Sequence, residues 1–264
     1  MPQRMQRCPG GGGSCSKTPA NVSARDVLGL SLVRQGRLAE AEQEYAKSLA
    51  TDSKQHRVYS ALGMVNIQLG KLDEAETLYR KSLELTPEFV EAMVFLGFIE
   101  KERGEEGKAE AWYQKALRID PSFPDAHRRY GDLYFQRAEY AEAMKCYRKT
   151  LEVVPHHFQA MNQVGVCAKR MKDYATAEEY FERAERLRPD SWVPVYNFAC
   201  VRALAGDADA ALARLQAAVA KGFRNPGLLK GDEDLASVRP LPGYAELLAR
   251  VVQASQRAAQ RADG

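Results

Sequence analysis

The sequence predicts an all-α fold, a solenoid of six helix-turn-helix repeats that a C-terminal capping helix closes. Three observations predict it: a period of 34 residues, small and aromatic residues at fixed positions within that period, and glycine or proline where helices must end. A single helical hairpin cannot bury its own apolar face. The repeats are therefore expected to stack and to share one continuous core.

The period is clearest at an invariant small residue. Alanine recurs every 34 residues without insertion, at Ala41, Ala75, Ala109, Ala143, Ala177 and Ala211. Twelve residues before each alanine stand Gly29, Gly63, Gly97, Gly131, Gly165 and Ala199. Four residues after each stand Tyr45, Tyr79, Tyr113, Tyr147, Phe181 and Leu215. Small residues allow two helix backbones to approach closely, and the aromatic ring fills the adjoining space, so a larger residue there is expected to overpack the contact.

The ends of the helices follow from residues that stop a helix. Glycine occurs where the first helix of a repeat turns into the second, at Gly36, Gly70, Gly104 and Gly206, but Ala138 and Lys172 hold the equivalent positions of two repeats. Proline follows the second helix at Pro87, Pro121, Pro155 and Pro189 and favours an extended residue before it. The predicted divisions are a tail at 1–21, hairpins at 22–55, 56–89, 90–123, 124–157, 158–191 and 192–221, and a cap at 222–264.

A chain of this kind resembles the tetratricopeptide repeat family. The best matches are "YSALG" with Ala75, Tyr79 and Pro87, and "HRRYGDLY" with Ala143, Tyr147 and Pro155, and the resemblance covers about residues 22–221. It departs from the family pattern at Asn66 and Glu100, where a large residue is usual. The resemblance implies a right-handed α-solenoid whose first helices line a concave, protein-binding groove.

The two ends of the chain differ from the repeats. Residues 1–21 have a glycine run, two cysteines (Cys8 and Cys15) and no helical periodicity, and they predict a flexible tail. Near the other end one helical face carries Tyr244, Leu247, Leu248, Val251 and Val252, with polar residues opposite. This pattern favours a solenoid cap over an amphipathic helix that binds a partner or a membrane surface. This end is also similar to the closing module of many bacterial proteins of the family.

Charge and hydropathy exclude several classes of function. The formal net charge is only +3, and the expected groove has balanced charges, so no nucleic-acid partner is predicted. No apolar run is long enough to span a bilayer, and no apolar segment follows Arg4 and Arg7 as in a secretory signal. We therefore expect a cytoplasmic protein. A lipoprotein or exported form would require a different start of the chain.

Residues with the chemistry of a catalytic or metal site do not form a recognisable pattern. His156 and His157 are adjacent but lack further ligands at suitable spacing, and the range 232–234 ("DED") is expected at a turn without burial. Cys146, Cys167 and Cys200 lie in predicted helices and are expected to pack as small apolar groups. We predict no catalytic residue, no metal and no cofactor.

The site is therefore expected to be the groove. Family geometry implies inward-facing positions, and an apolar stripe edged by polar residues emerges from them: Met64, Val94, Phe98, Arg128, Phe135, Asn162, Val166, Arg170 and Tyr196. The lysine and asparagine set of the chaperone-tail carboxylate clamp and the asparagine ladder of sugar-transferase repeats are both missing. Such a groove suits a peptide or a partner protein with apolar anchors, or a second copy of the chain in a homodimer.

The predicted function is that of a non-catalytic scaffold or adaptor. Two alternatives come from other classes of protein: an envelope lipoprotein that assists pilus or secretion-complex assembly, and the regulatory arm of an enzyme such as a sugar transferase. A preceding signal segment would favour the first alternative, and a neighbouring catalytic gene would favour the second.

Overall fold

A computed structural model describes residues 19–262 of the chain and confirms the all-α fold of paired helices. Its contacts divide into two compact units, one up to Lys115 and one from Ala116 onward. The described residues form fourteen α-helices and a single 3-10 turn, without a strand. The expectations for Cys8, Cys15 and the glycine run lie outside the described residues.

Unit 1 contains two complete hairpins and most of a third. Its helices are α1 (Pro19–Arg34), α2 (Leu38–Thr51), α3 (His56–Gln68), α4 (Leu72–Leu85), α5 (Val90–Glu102) and α6 (Glu106–Ile119), the last of which ends in unit 2. Successive helices pack on one another, so that Leu32, Tyr45 and Leu62 share one buried cluster and Tyr79, Leu96 and Ile99 share the next.

Unit 2 contains three hairpins and the C-terminal segment. The helices are α7 (Pro124–Gln136), α8 (Tyr140–Val153), α9 (Phe158–Arg170), α10 (Tyr174–Leu187), α11 (Trp192–Leu204), α12 (Ala208–Ala220), α13 (Pro226–Gly231) and α14 (Pro242–Ala262), with the 3-10 turn Glu233–Leu235 before α14. Leu247 and Val251 of α14 are buried together with Leu215 of α12 and Leu229 of α13. The C-terminal segment therefore covers the apolar surface of the last hairpin, which confirms the predicted cap.

The 34-residue period places an aromatic ring against the backbone of the partner helix. A Cβ atom added to Gly97 would lie 2.5 Å from the ring of Tyr113, and one added to Gly165 would lie 2.6 Å from the ring of Phe181. In the last hairpin the pair is Ala199 and Leu215, both buried. The hairpin that has a methyl group on the first helix thus has no ring on the second.

The turns between the two helices of a hairpin share one backbone conformation. Gly70 and Gly206 have φ of 77° and 89°, and Ala138 and Lys172 adopt the same left-handed region with φ of 58° and 61°. At Ala138 the amide N–H of the next residue, Glu139, donates to the carbonyl oxygen of Tyr134 at 2.9 Å, as in the glycine turns. The repeat therefore imposes its turn even on residues with a Cβ atom, which are strained there.

The Ala138→Gly substitution is expected to raise the free energy of unfolding by about 1 kcal/mol, because glycine adopts a positive φ without steric cost. Urea unfolding followed by circular dichroism measures the change. The Ala141→Gly control, at an exposed position in the first turn of α8, is expected to lower the free energy of unfolding by up to about 1 kcal/mol. A lower stability for Ala138→Gly would contradict the strain argument.

The residues before three of the prolines leave the helical conformation in the predicted direction, although their ψ of 90°, 82° and 82° stops short of a fully extended backbone. Thr86, Val154 and Arg188 have φ of −141°, −124° and −132°, and each ends a second helix. Proline thus separates the hairpins at these three turns.

Candidate functional site

The predicted groove residues are divided between the two units. In unit 1, Met64 and Phe98 are half-buried, and the Lys101 ammonium lies 5.9 Å from the centre of the Phe98 ring. Val94 is only 1% exposed. Val94 therefore packs in the interior of unit 1 and offers no surface to a partner, which corrects its assignment to the stripe.

In unit 2 the helices α7, α9 and α11 line a concave cavity of about 310 Å³. It will be called the polar cavity, and its lining residues are Arg128, Asp132, Phe158, Gln159, Asn162, Gln163 and Val193. Two predicted groove residues, Arg128 and Asn162, meet there. The first helix of each of three consecutive hairpins contributes to the lining, since these helices lie side by side.

The charges in the polar cavity are paired with one another. The Arg128 guanidinium donates to Asp125 at 2.6 Å and to Asp132 at 3.0 Å, and Asp125 also accepts from Arg129 at 2.8 Å. Burial acts to raise the pKa of Asp125, but the charges of Arg129 and Arg128 outweigh it and lower that pKa. Burial likewise opposes the charge of Arg128, and Asp125 outweighs it so that the pKa of Arg128 is raised. Both shifts favour the charged forms of Asp125 and Arg128, and in the cluster two guanidinium groups face two carboxyl groups.

Amide side chains supply the remaining polar groups. The Asn197 amide donates to the Asn162 oxygen at 3.1 Å, and Tyr147 donates its hydroxyl proton to Asp132 at 2.8 Å. Gln163 donates to the Tyr147 oxygen at 3.5 Å. The amide nitrogen of Asn162 has no hydrogen-bond acceptor among the residues that the structure describes. Together these groups offer donors and acceptors without a net charge.

Tyr196 lies outside the polar cavity because the C-terminal segment covers it. Its side chain is 3% exposed, its ring stacks on Phe223 at 4.9 Å, and its hydroxyl donates to Asp232 at 2.8 Å. Leu235 of the 3-10 turn is buried in the same cluster. The prediction that Tyr196 contacts a partner is therefore wrong for this conformation, since the chain itself occupies that surface.

Residues 232–234 lie at a turn with Glu233 exposed, as expected, but the expectation that the turn lacks burial is wrong for Asp234. Asp234 is mostly buried and forms an ion pair with Lys169 of α9, whose side chain is 7% exposed. Oxygens of Asp232 and Asp234 and the Cys200 sulfur lie within 4.8 Å of one another, a spacing that could suit a metal ion. The Lys169 ammonium pairs with Asp234, and Asp232 accepts from the Tyr196 hydroxyl, so the cluster is a polar contact between α9, α11 and the C-terminal segment.

The other predicted residues of unit 2 have separate surroundings. Phe135 is half-buried and packs edge-on against Tyr140 at 5.4 Å. Val166 is half-buried beside the cluster of Phe181 and Phe198, and Arg170 is exposed at the end of α9. The structure does not place these three residues in the polar cavity.

Five lining residues were not among the predicted groove residues: Asp132, Gln159 and Val193, which occupy inward-facing positions of the repeat, and Phe158 and Gln163, which do not. Phe158 begins α9 beneath the guanidinium of Arg188, which lies 4.5 Å from the ring centre, and Gln163 directly follows Asn162. Their positions within the repeat are not those that family geometry assigns to the groove, so a rule based on repeat position could not select them.

Two cysteines and a histidine of unit 2 have structural roles. Burial raises the pKa of the Cys167 thiol to about 12 and that of Cys146 to about 11, and both cysteines are free. A thiol with such a pKa is a poor nucleophile. The His157 ring nitrogen accepts from the Ala160 amide at 3.1 Å and caps α9, while burial and then Arg128 lower the pKa of His157.

Comparison with known proteins identifies the family. A sequence profile of the tetratricopeptide repeat matches residues 20–88 and 123–190, together more than half of the chain, and a second profile described as TPR repeat matches residues 97–136. The chain belongs to the tetratricopeptide repeat family. No curated protein matches this tetratricopeptide repeat protein.

Solved structures of other tetratricopeptide repeat proteins share the fold. A chain of the APC/C hetero-tetramer Cut9–Hcn1 is 15% identical with a TM-score of 0.68, over 88% of this chain and 42% of the other. Pseudomonas aeruginosa pilF is 22% identical with a TM-score of 0.61, over 78% and 97%. YrrB, described as having an unusual peptide-binding site, is 18% identical with a TM-score of 0.57, over 75% and 98%. At these identities the likeness shows the fold alone.

None of the helices in the described part of this tetratricopeptide repeat protein combines the length and the apolar character that crossing a bilayer requires.

Proposed function

We propose that this tetratricopeptide repeat protein is a non-catalytic adaptor that binds an extended peptide segment of a partner protein in the polar cavity. The fold supports protein–protein interaction in general, and the polar cavity supports a particular mode of binding. Its volume of about 310 Å³ accommodates a few residues rather than a folded domain.

The single observation that carries the proposal is the convergence of amide side chains beside an aromatic ring. Gln159, Asn162 and Gln163 of α9 all line the polar cavity, with Phe158 and Val193 next to them. Amides can donate to a peptide carbonyl and accept from a peptide N–H, whatever the sequence of the peptide. The ring and the valine provide apolar contact for a side chain, which adds specificity.

The paired charges favour a segment without a strong net charge. Arg128 is already neutralised by Asp125 and Asp132, so an acidic ligand would have to compete with two carboxylates that the same guanidinium binds. A nucleic acid would meet those carboxylates as repulsive groups. The polar cavity is therefore better suited to peptide backbone than to phosphate.

Peptides selected on the full chain from a library of random 12-residue sequences provide the test. The Asn162→Ala and Gln159→Ala variants are each expected to bind the selected peptide about fivefold to tenfold more weakly, because one hydrogen bond contributes about 1 kcal/mol. Fluorescence anisotropy of the labelled peptide measures the dissociation constants.

Gln253→Ala is the matched control, since Gln253 is also an exposed glutamine on a helix of unit 2, but lies on α14. It is expected to leave the affinity unchanged. Equal affinity of all three variants and the original chain would show that the peptide binds elsewhere and would refute the polar cavity as the site.

The alternatives from the sequence stay predictions. PilW, described as a type IV pilus biogenesis factor, shares the fold at 17% identity with a TM-score of 0.64, and this supports no role in pilus or secretion-complex assembly by itself. The role of a regulatory arm of a sugar transferase, the homodimer and the cytoplasmic location likewise rest on the sequence alone.

A further inference from the structure

The first hairpin, α1 and α2 of unit 1, has one helix face that no described residue covers. Ala24, Val27, Leu28 and Ser31 follow the i, i+3, i+4, i+7 spacing along α1 and will be called the end face. All four side chains are exposed, Val27 to 66% and Leu28 to 47%. Two large apolar side chains at such exposure on one turn, with Ala24 on the turn before them, form a patch that is unusual on a solvated helix.

The same positions are buried in later hairpins of both units. The residues one or more periods after Ala24, Leu28 and Ser31 are Val58, Leu62 and Val65 in α3, Ala92, Leu96 and Ile99 in α5, Ala160, Val164 and Cys167 in α9, and Pro194, Phe198 and Val201 in α11. In each of these helices the stripe packs on the second helix of the preceding hairpin. Position 27 follows the same rule, since its equivalent Phe95 stacks on Tyr79 of α4 at 5.1 Å. The end face thus has the pattern of a surface that receives a helix.

Ion pairs accompany these contacts between hairpins. Glu42 of α2 accepts from Lys71 at 2.7 Å, Glu76 of α4 from Arg103 at 2.5 Å, and Glu178 of α10 from Arg202 at 2.8 Å. The three glutamates are equivalent in the period, and each cation lies near the end of the first helix of the next hairpin. A glutamate at this position is therefore the recurrent electrostatic contact to the following hairpin.

The first hairpin has the cation for such a contact. Arg37 is the equivalent of Lys71, one period earlier, and Arg34 beside it is exposed. Arg37 pairs with Glu40 of its own hairpin at 2.6 Å, and both side chains are about half exposed. An exposed pair of this kind contributes little to stability, so Arg37 is available to a second carboxylate at small cost.

We propose that the end face binds an amphipathic α-helix of a partner protein, with a glutamate of that helix on Arg37. The second helices of the chain's own hairpins define the required pattern, as in Leu72, Glu76, Tyr79 and Leu83 of α4: an apolar residue, glutamate four residues later, an aromatic residue three further and an apolar residue four further. This proposal uses unit 1 only and does not depend on the polar cavity. A partner is preferred to a second copy joined through α14, because exposed Arg250 and Arg257 of α14 would oppose Arg37.

A synthetic peptide with the sequence of residues 70–87, which contains α4, is the probe. Fluorescence anisotropy is expected to show that the peptide binds the full chain. Its affinity for the Leu28→Lys variant is expected to be at least about tenfold lower, because a charge would be buried in the apolar contact. Arg37→Glu is expected to lower the affinity for the peptide by a similar factor. A peptide in which Glu76 is replaced by lysine should recover affinity for Arg37→Glu and lose it for the original chain.

Leu85→Lys is the matched control, because Leu85 is a leucine of unit 1 exposed to 41%, and it should bind as the original chain does. The absence of binding to the full chain would overturn the proposal, and so would equal affinity of the Leu28→Lys and Leu85→Lys variants. Sedimentation that shows a dimer which Leu28→Lys dissociates would also overturn it, since the occupant would then be a second copy.

Discussion

Replacing Asp234 by alanine is expected to lower the free energy of unfolding of unit 2 by about 3–5 kcal/mol. The substitution leaves the ammonium of Lys169, whose side chain is 7% exposed, without its carboxylate partner. A buried charge without a partner keeps its desolvation cost and loses the attraction that offset it. The 3-10 turn would then also lose the contact that joins it to α9.

Urea unfolding followed by the fluorescence of Trp192 is the suitable measurement, because Trp192 packs against Phe223 in the C-terminal cluster at 5.1 Å. Trp112→Phe removes the other tryptophan and serves as the background for all variants. Glu233→Ala, at an exposed residue of the same turn, is the control and is expected to change the stability by less than about 0.5 kcal/mol.

A double replacement separates the charge from the contact. Lys169→Met with Asp234→Leu removes both charges and is expected to be far less destabilising than Asp234→Ala, since apolar residues of similar volume often replace a buried ion pair without loss. If the Asp234→Ala and Glu233→Ala variants unfold at the same urea concentration, the buried ion pair does not stabilise the packing of the C-terminal segment.

Adding one methyl group at Gly165 is expected to lower the free energy of unfolding by about 1–3 kcal/mol. The new Cβ atom of Gly165→Ala would lie 2.6 Å from the ring of Phe181, which is fully buried and cannot move away without displacing its neighbours. Alanine favours the helix over glycine by about 1 kcal/mol, and the estimated loss of stability is what remains after this gain has been subtracted from the cost of the steric overlap.

The last hairpin suggests the compensating change. It has Ala199 and Leu215 at the positions of Gly165 and Phe181. The Gly165→Ala, Phe181→Leu double variant should therefore be more stable than the sum of its two single variants, and urea unfolding of the four proteins gives the coupling energy.

Gly107→Ala is the control for helix propensity, because no atom lies within 4 Å of a Cβ added there, and it should be neutral or stabilising. Strict additivity of Gly165→Ala and Phe181→Leu would mean that the ring and the glycine do not constrain each other.

The repeating part of the fold could be predicted from the sequence because successive hairpins have the same types of residue at the same spacing. Gly97 and Tyr113 differ greatly in size, yet their combination recurs at one spacing. The structure gives the reason, because a Cβ atom added to Gly97 would lie 2.5 Å from the Tyr113 ring. Ala138 and Lys172 were departures from the pattern, and the neighbouring turns supply the backbone conformation that they adopt. Periodic information of this kind survives individual substitutions.

The candidate site was predictable only in part, because its limits depend on a segment without the period. Arg128 and Asn162 line the polar cavity as inward-facing positions should. Tyr196 occupies an equivalent kind of position but is covered by Asp232 and its neighbours. Nothing in the repeat indicates where a non-repeating segment returns, so its contacts with Tyr196 and Lys169 appear only in three dimensions.

The position of the C-terminal segment has a kinetic consequence. Helix pairs that are neighbours in sequence close short loops, and such local contacts form rapidly. The Lys169–Asp234 contact instead joins residues 65 positions apart, so it can form only after the intervening hairpins have brought α9 and α11 together. We expect refolding to report hairpin formation first by circular dichroism, with the Trp192 signal following as the final closure of the chain.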